Sequence, residues 1–278
     1  MESTLSPFVA LDGDNIAVQD WPLEPDTRWR GVVLLVHGLG EHAGRHERLA
    51  RQLNDWGFAV RGYDQHGHGE SGGRQGGLPT DTRLLDDLTD MVDATRARMN
   101  PGTPLILLGH SLGGLVAARF VSLAIRPVDA LVLSSPALDP GLTAVQKILL
   151  AILPRIAPNF RVSNGLNAAH LSHDPAVVAA YRADKRVHDR ISGRLARFMV
   201  DSGPAVQALA ATWQVPTLLL YGGADPLVNP AGSRAFAAAA PPQVVQARCF
   251  EHLYHEIFNE LDAAPVYAEL KAWLDARF

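Results

Sequence analysis

The pentapeptide Gly109-His110-Ser111-Leu112-Gly113 carries the clearest chemical meaning in the sequence. It follows the apolar run 105–108 and opens the stretch 112–123, where Leu115, Val116, Phe120 and Leu123 recur at helical spacing. A strand, a one-residue bend and a helix in that order hold a serine hydroxyl at the tip of a cramped turn. Such a turn forces strained backbone angles on the serine. Glycine two residues before and two after removes the Cβ atoms that would strike the adjoining strand and helix. The helix N-terminus then sets partial positive charge beside an oxyanion forming on an attacked carbonyl. The competing structural reading makes Ser111 an ordinary helix N-cap. Gly69-Glu70-Ser71-Gly72-Gly73 has the same G-x-S-x-G spacing, but Arg74-Gln75-Gly76-Gly77-Leu78-Pro79 follows it. That run cannot start a helix, so Ser71 is read as a loop residue.

A nucleophilic serine needs a base, and the base needs an orienting carboxylate. In strand–turn–helix sites of this kind the chain order is serine, acid, histidine. Of the eleven histidines, His252 and His255 follow the last apolar run, 244–250, and spacing does not separate them. For the acid, Asp225 stands just past the run 217–221, in a loop tightened by Gly222, Gly223 and Pro226. Asp139, after the preceding run, is the weaker competitor. An Asp before Pro is also a common turn residue, so Asp225 depends on Ser111. Two backbone N–H donors must face the oxyanion. One belongs to Leu112, the other to Leu39 in the loop after the run 32–36, where Gly38 and Gly40 permit close approach.

These residues need elements to hold them. Nearly continuous apolar runs lie at 32–36, 105–108, 130–133 and 217–221, with weaker ones at 58–63 and 244–250. Runs this short, apolar on both faces, fit strands covered by helices on both sides. Leu84, Leu85, Leu88, Met91 and Val92 mark a helix that Thr80 or Asp81 would cap, and 267–278 marks another. The alternation predicts an α/β fold with a mostly parallel sheet. Asp12-Gly13-Asp14 predicts the turn of an antiparallel hairpin over 8–21. Between about 137 and 211 the alternation fails, and Pro and Gly punctuate an Arg-rich stretch that reads as an inserted, mostly helical unit.

Of the 278 residues 47% are hydrophobic and 19% charged, enough for a packed core and too few charges for disorder. Net charge is −4 with no basic block, so no nucleic-acid partner is expected. The single Cys249 excludes an intramolecular disulfide and a four-cysteine zinc site. The opening residues have an early Glu and no basic residue, unlike a secretory signal, and no apolar run reaches the 18 or so residues of a membrane span. The default expectation is a cytoplasmic protein. His66-Gly67-His68 and the His42/His46 pair raise a metal-hydrolase rival, but HExxH or paired-cysteine spacing is absent.

Taken in order, HGLGEHAGRHERLA (37–50), YDQHGHGESGG (63–73), GHSLGG (109–114), LLLYGGADPLV (218–228) and YHEIFNE (254–260) closely resemble the monoacylglycerol lipase and lysophospholipase branch of the serine α/β-hydrolases. The resemblance spans about residues 8–275. It implies an α/β-hydrolase fold with an eight-stranded sheet and a helical cap inserted at 137–207, leaving 1–136 and 208–278 as the core. It implies Ser111 as nucleophile, Asp225 as acid, and His255, rather than His252, as base. Leu39 and Leu112 would form the oxyanion hole, and no cofactor or metal is implied.

The same resemblance implies a serine carboxylic ester hydrolase acting on a lipid ester, foremost monoacylglycerol, with lysophospholipase, broad carboxylesterase, thioesterase or peptidase activity as alternatives, since a triad does not choose its leaving group. A scaffold reused for binding alone is the non-enzymatic rival. It is disfavoured because all three triad positions are filled. Glu41 and Arg45 either frame a head-group pocket or pair with each other, and pairing is favoured. The apolar stripe 148–156, with Ile148 and Ile152, reads either as a lid over the acyl chain that could dock transiently on membranes or lipid droplets, or as ordinary cap packing. One departure from the mammalian members is Phe258, where they carry a further histidine.

Overall fold

A computed structural model describes residues 2–24, 27–139, 141 and 156–278. The chain opens with the antiparallel hairpin of β1 (Thr4–Val9) and β2 (Asn15–Trp21), turned through Gly13 at φ 89°. Then follow β3 (Gly31–Val36), α1 (Glu47–Asp55), β4 (Phe58–Tyr63), α2 (Arg83–Arg96), β5 (Leu105–His110), α3 (Leu112–Ser122) and β6 (Ala130–Ser134). The inserted stretch contains a two-stranded ribbon, β7 (Arg161–Ser163) with β8 (Arg190–Ser192), and the helices α4 (Pro175–Ala183) and α5 (Gly193–Ala208). The main sheet resumes with β9 (Thr217–Gly222), α6 (Pro230–Ala239), β10 (Val245–Phe250) and α7 (Ala264–Asp275).

Eight strands form one sheet in the order β1-β2-β4-β3-β5-β6-β9-β10. The pairings β1–β2 and β2–β4 are antiparallel and the rest are parallel. The continuous apolar runs are explained by two cores, one on each face, between which successive strand residues alternate. Val32, Leu34, Val36, Leu105, Leu107, Leu131, Leu133 and Leu219 join the core that α2, α3 and α5 cover. Val33, Leu35, Ile106, Leu108, Val132, Leu218 and Leu220 join the core that α1 and α7 cover.

One sequence expectation shifts. The N-cap position of α2 is Thr82, not Thr80 or Asp81, and its hydroxyl donates to Asp86 at 2.7 Å instead of capping a backbone N–H. The inserted unit also packs into the main core: Leu195 and Val206 of α5 are buried with Leu115 and Phe120 of α3. Ile148 and Ile152 lie outside the described residues. No described helix is long and apolar enough to cross a membrane.

Candidate active site

Ser111 stands between β5 and α3 at φ 54°, ψ −118°, backbone angles that side chains rarely adopt. The bend is pinned by its own backbone: Ser111 N–H donates to Ser134 O, and Ser111 O accepts from Leu115 and Ala137 N–H, each at 3.0 Å. The flanking glycines are explained by crowding. A Cβ on Gly109 would come within 2.4 Å of Gly113 O, and one on Gly113 within 2.1 Å of Val36 O. The side chain of Ser111 makes no capping hydrogen bond, which removes the N-cap reading. Its half-exposed hydroxyl has no hydrogen-bond partner among the described residues.

His255 lies after β10, in a loop that passes close over β9. A Cβ at Gly222 would come within 2.3 Å of Tyr254 O. The imidazole is buried, and its Nδ1 meets Asp225 Oδ2 at 2.6 Å. Asp225 Oδ1 accepts the N–H groups of Leu227 and Val228 at 2.8 and 3.1 Å, so the carboxylate is fixed from its own loop. Burial works against a charged imidazole, but Asp225, by charge and hydrogen bond, with Glu256 and Glu41 behind it, raises the His255 pKa above its ordinary value. The His255 ring lies 4.8 Å from that of His110, the residue before Ser111. Burial and the neighbouring His255 hold His110 well below the usual histidine range. His252 is exposed. Asp139 is engaged elsewhere, accepting from Asn229 Nδ2 at 2.7 Å and Gly141 N–H at 2.9 Å.

The loop after β3 reaches the same place. A Cβ on Gly38 would lie 3.1 Å from Ser111 Cβ and 2.8 Å from Glu41 Oε1. The N–H groups of Leu39 and Leu112 donate no hydrogen bond among the described residues. His37 Nδ1 meets Gly38 O at 2.7 Å, and its Nε2 accepts from Gln65 N–H at 2.9 Å, so the loop's first residue is tethered to the segment after β4. Glu41 and Arg45 do pair, at 2.7 Å, and Arg45 also reaches Glu256 at 2.6 Å. Both Glu41 oxygens are committed, Oε1 to Gly38 N–H at 2.6 Å and Oε2 to Arg45. Sequence reasoning missed the roles of His37 and Glu256. His37 opens the HGLGEHAGR segment, a visible local signal, whereas no local signal links Glu256 to Arg45 across 211 positions.

Other singled-out residues serve the frame. Ser71 accepts from Ala17 N–H at 2.8 Å and donates to Asp64 O at 2.5 Å. His42 meets Asp184 at 2.8 Å, and His46 meets Glu41 at 3.2 Å. Phe258 is buried against Tyr267, with ring centroids 5.2 Å apart. Beside Gly40 the inserted unit holds a cavity of about 200 Å³ lined by Asn164, Tyr181, Arg182, Asp184, His188 and Asp189. Asn164 Nδ2 is buried there without a hydrogen-bond partner among the described residues. No described cluster of three or more His, Cys, Asp or Glu side chains is arranged to hold a metal ion.

A serine on a strained strand–helix bend, in a mostly parallel eight-stranded sheet with a unit inserted after β6, defines the α/β-hydrolase fold. Residues 27–262 match the family described as Serine aminopeptidase, S33, and the chain belongs to that hydrolase family. It is 34% identical over 270 residues to a monoacylglycerol lipase of Mycolicibacterium smegmatis, covering 96% of this chain and 95% of that protein. It is 29% identical over 248 residues to the phospholipase YtpA of Bacillus subtilis, covering 88% and 95%. A crystal structure of the Paleococcus ferrophilus monoacylglycerol lipase superposes with a TM-score of 0.82 at 32% identity, covering 100% of both chains.

Proposed function

We propose that this protein is a serine carboxylic ester hydrolase whose substrates are monoacylglycerols, with Ser111, His255 and Asp225 as its catalytic triad. The observation that carries this reading is the buried His255–Asp225 pair at 2.6 Å, whose imidazole lies 4.8 Å from the ring of His110, the residue before the strained Ser111. In the first step His255 takes the Ser111 proton as the serine oxygen attacks the ester carbonyl. Asp225 fixes the tautomer that presents Nε2 as acceptor, and its charge stabilises the imidazolium. The N–H groups of Leu39 and Leu112 hold the tetrahedral oxyanion. The imidazolium then protonates the departing alcohol, leaving an acyl-enzyme on Ser111. Water activated by the now neutral His255 releases the fatty acid.

The glyceride choice rests on the similarity to monoacylglycerol lipases. We assign residues 137–207 as the cap, with the acyl chain running beneath it. Each buried CH₂ contributes about 0.8 kcal/mol, so chain length is read mainly by greasy surface. Glu41 and Arg45 act through their pairing rather than on the head group. Ile156 and Phe160, 78% and 63% exposed, support transient docking of the cap on a lipid surface. The similarity to a phospholipase supports lysophospholipid hydrolysis as a second reading.

Rates over p-nitrophenyl esters, monoacylglycerols and lysophospholipids of increasing chain length test the proposal. The glyceride reading expects kcat/KM to be highest for monoacylglycerols. A maximum on lysophospholipids moves the assignment to that class, and turnover of aminoacyl amides alone contradicts ester hydrolysis.

A further inference from the structure

We propose that Arg45 and Glu256 are positioning residues, the middle and far end of a buried strut that fixes the oxyanion loop relative to the loop bearing His255. The inference rests on the catalytic assignment above and adds to it a part that acts through other residues. The strut starts at Gly38 N–H, which donates to Glu41 Oε1 at 2.6 Å. Glu41 Oε2 accepts from Arg45 Nη1 at 2.7 Å. Arg45 donates onward to both oxygens of Glu256, from Nη1 at 2.6 Å and Nη2 at 3.0 Å. Gly38 adjoins Ser111 and precedes the Leu39 donor, while Glu256 directly follows His255. Two loops more than 200 residues apart in sequence are thus joined by one guanidinium, and each carries a group the chemistry requires.

The members are held well enough to transmit position. Their side chains are 4%, 10% and 4% exposed for Glu41, Arg45 and Glu256. Asn259 donates from Nδ2 to Glu256 Oε2 at 2.9 Å and from its N–H to Glu256 O at 2.8 Å, fixing the carboxylate at the far end. His46 meets Glu41 Oε1 at 3.2 Å at the near end. The Tyr181 ring of α4 covers the guanidinium at 4.7 Å, so the inserted unit shields the pair from water. A planar fork suits this junction, because Arg45 grips both oxygens of Glu256 while still reaching Glu41, a bidentate geometry that a point-charge ammonium does not reproduce. Fold stability alone is a weak reason for such a device, since apolar residues of similar volume often replace buried ion pairs without loss.

The strut also sets charge. Facing His255 are Asp225 from the loop after β9, Glu256 from its own loop, Glu41 from the loop after β3, and His110 from β5. Arg45 and His46 face His110. Two carboxylates on one guanidinium leave a net negative charge near an imidazole that becomes cationic when Ser111 attacks.

The test measures kcat, KM, the pH profile of kcat/KM and thermal unfolding on a soluble p-nitrophenyl ester, for Glu256→Gln, Arg45→Met and the double variant Arg45→Met/Glu256→Met. The strut predicts that Glu256→Gln lowers kcat about tenfold with KM within about twofold, because small misplacements of reacting groups cost rate rather than binding. It also predicts that the acid limb of kcat/KM moves to lower pH. The double variant should unfold at a higher temperature than Arg45→Met, yet stay at least as slow as Glu256→Gln. Recovery of kcat together with stability in the double variant would reduce the strut to packing. If the double variant does not fold, Glu256→Gln with kcat within twofold of the parent and an unmoved acid limb overturns the proposal equally. Fluorophosphonate labelling of the parent separates the two levels of inference: a parent that fails to label defeats the triad, whereas a labelled parent with a fully active Glu256→Gln defeats only the strut.

Discussion

The chain contains G-x-S-x-G twice, and the two copies solve opposite problems. At 109–113 the strain sits on the serine: Ser111 has φ 54°, while Gly109 and Gly113 keep ordinary angles and are needed because backbone lies where their Cβ atoms would be. At 69–73 the strain sits on the glycines: Gly69 and Gly73 have φ 51° and 95°, and Ser71 is relaxed. The hydroxyls differ accordingly. Ser71 spends its hydroxyl binding β2 to the segment after β4, whereas that of Ser111 is left uncommitted among the described residues. A five-residue pattern therefore does not mark a nucleophile. The element context on either side of the serine separates the two copies, because a strand that ends and a helix that begins there put the strain on the serine itself.

The largest expected effect separates the two serines. Ser111→Ala should lower turnover by about 10⁴-fold or more while circular dichroism and the unfolding midpoint stay close to the parent. Loss of folding would return Ser111 to a structural role. Next comes the acid: Asp225→Asn should lower kcat by roughly 10²–10⁴-fold, because the histidine loses its tautomer and its counter-charge. Asp139→Asn, measured alongside, should change kcat by less than about threefold, as expected of an exposed loop pair. The reverse order would move the acid to the loop after β6.

Proton linkage gives a smaller, signed effect. The proposed base, His255, would work only when neutral, and its folded pKa lies above the ordinary histidine value. The acid limb of kcat/KM should therefore fall above pH ~6.5, with activity rising as pH climbs through it. Asp225→Asn should shift whatever limb remains to lower pH, since the principal raising influence is gone. A limb at or below the ordinary histidine range in the parent would mean that Asp225 does not act on His255. The smallest effect belongs to the second motif. Ser71→Ala should leave kcat/KM unchanged and reduce stability by about 1–2 kcal/mol in denaturant unfolding, the cost of leaving Ala17 N–H and Asp64 O without their partner.

Much of this was legible in the sequence because the sheet is buried on both faces. The runs 105–108 and 217–221 had to be almost wholly apolar, and both begin at the observed strand starts; the weaker run 58–63 also begins where its strand does, with Arg61 buried in an ion pair to Asp20. The elbow was legible because steric crowding leaves no choice but glycine at 109 and 113. The Asp225–His255 pairing was foreshadowed as two places in a chain order, but the preference for His255 over His252 came only from resemblance. Side chains that meet across long stretches of chain were not legible. Nothing near Arg45 announces Glu256, and nothing near Gly40 announces that His188 donates its N–H to Gly40 O at 2.9 Å. Helix starts without a side-chain cap, such as that of α2, lose their local marker for the same reason.

In our proposal one of the two serines in this pattern, Ser111, is made reactive by its bend and by His255. Treating the protein with a fluorophosphonate and mapping the adduct by peptide mass spectrometry tests it directly. A single adduct on Ser111 is expected, absent from Ser71 and lost in His255→Ala. An adduct on Ser71, or an unmodified Ser111 in a protein that still hydrolyses esters, would contradict it.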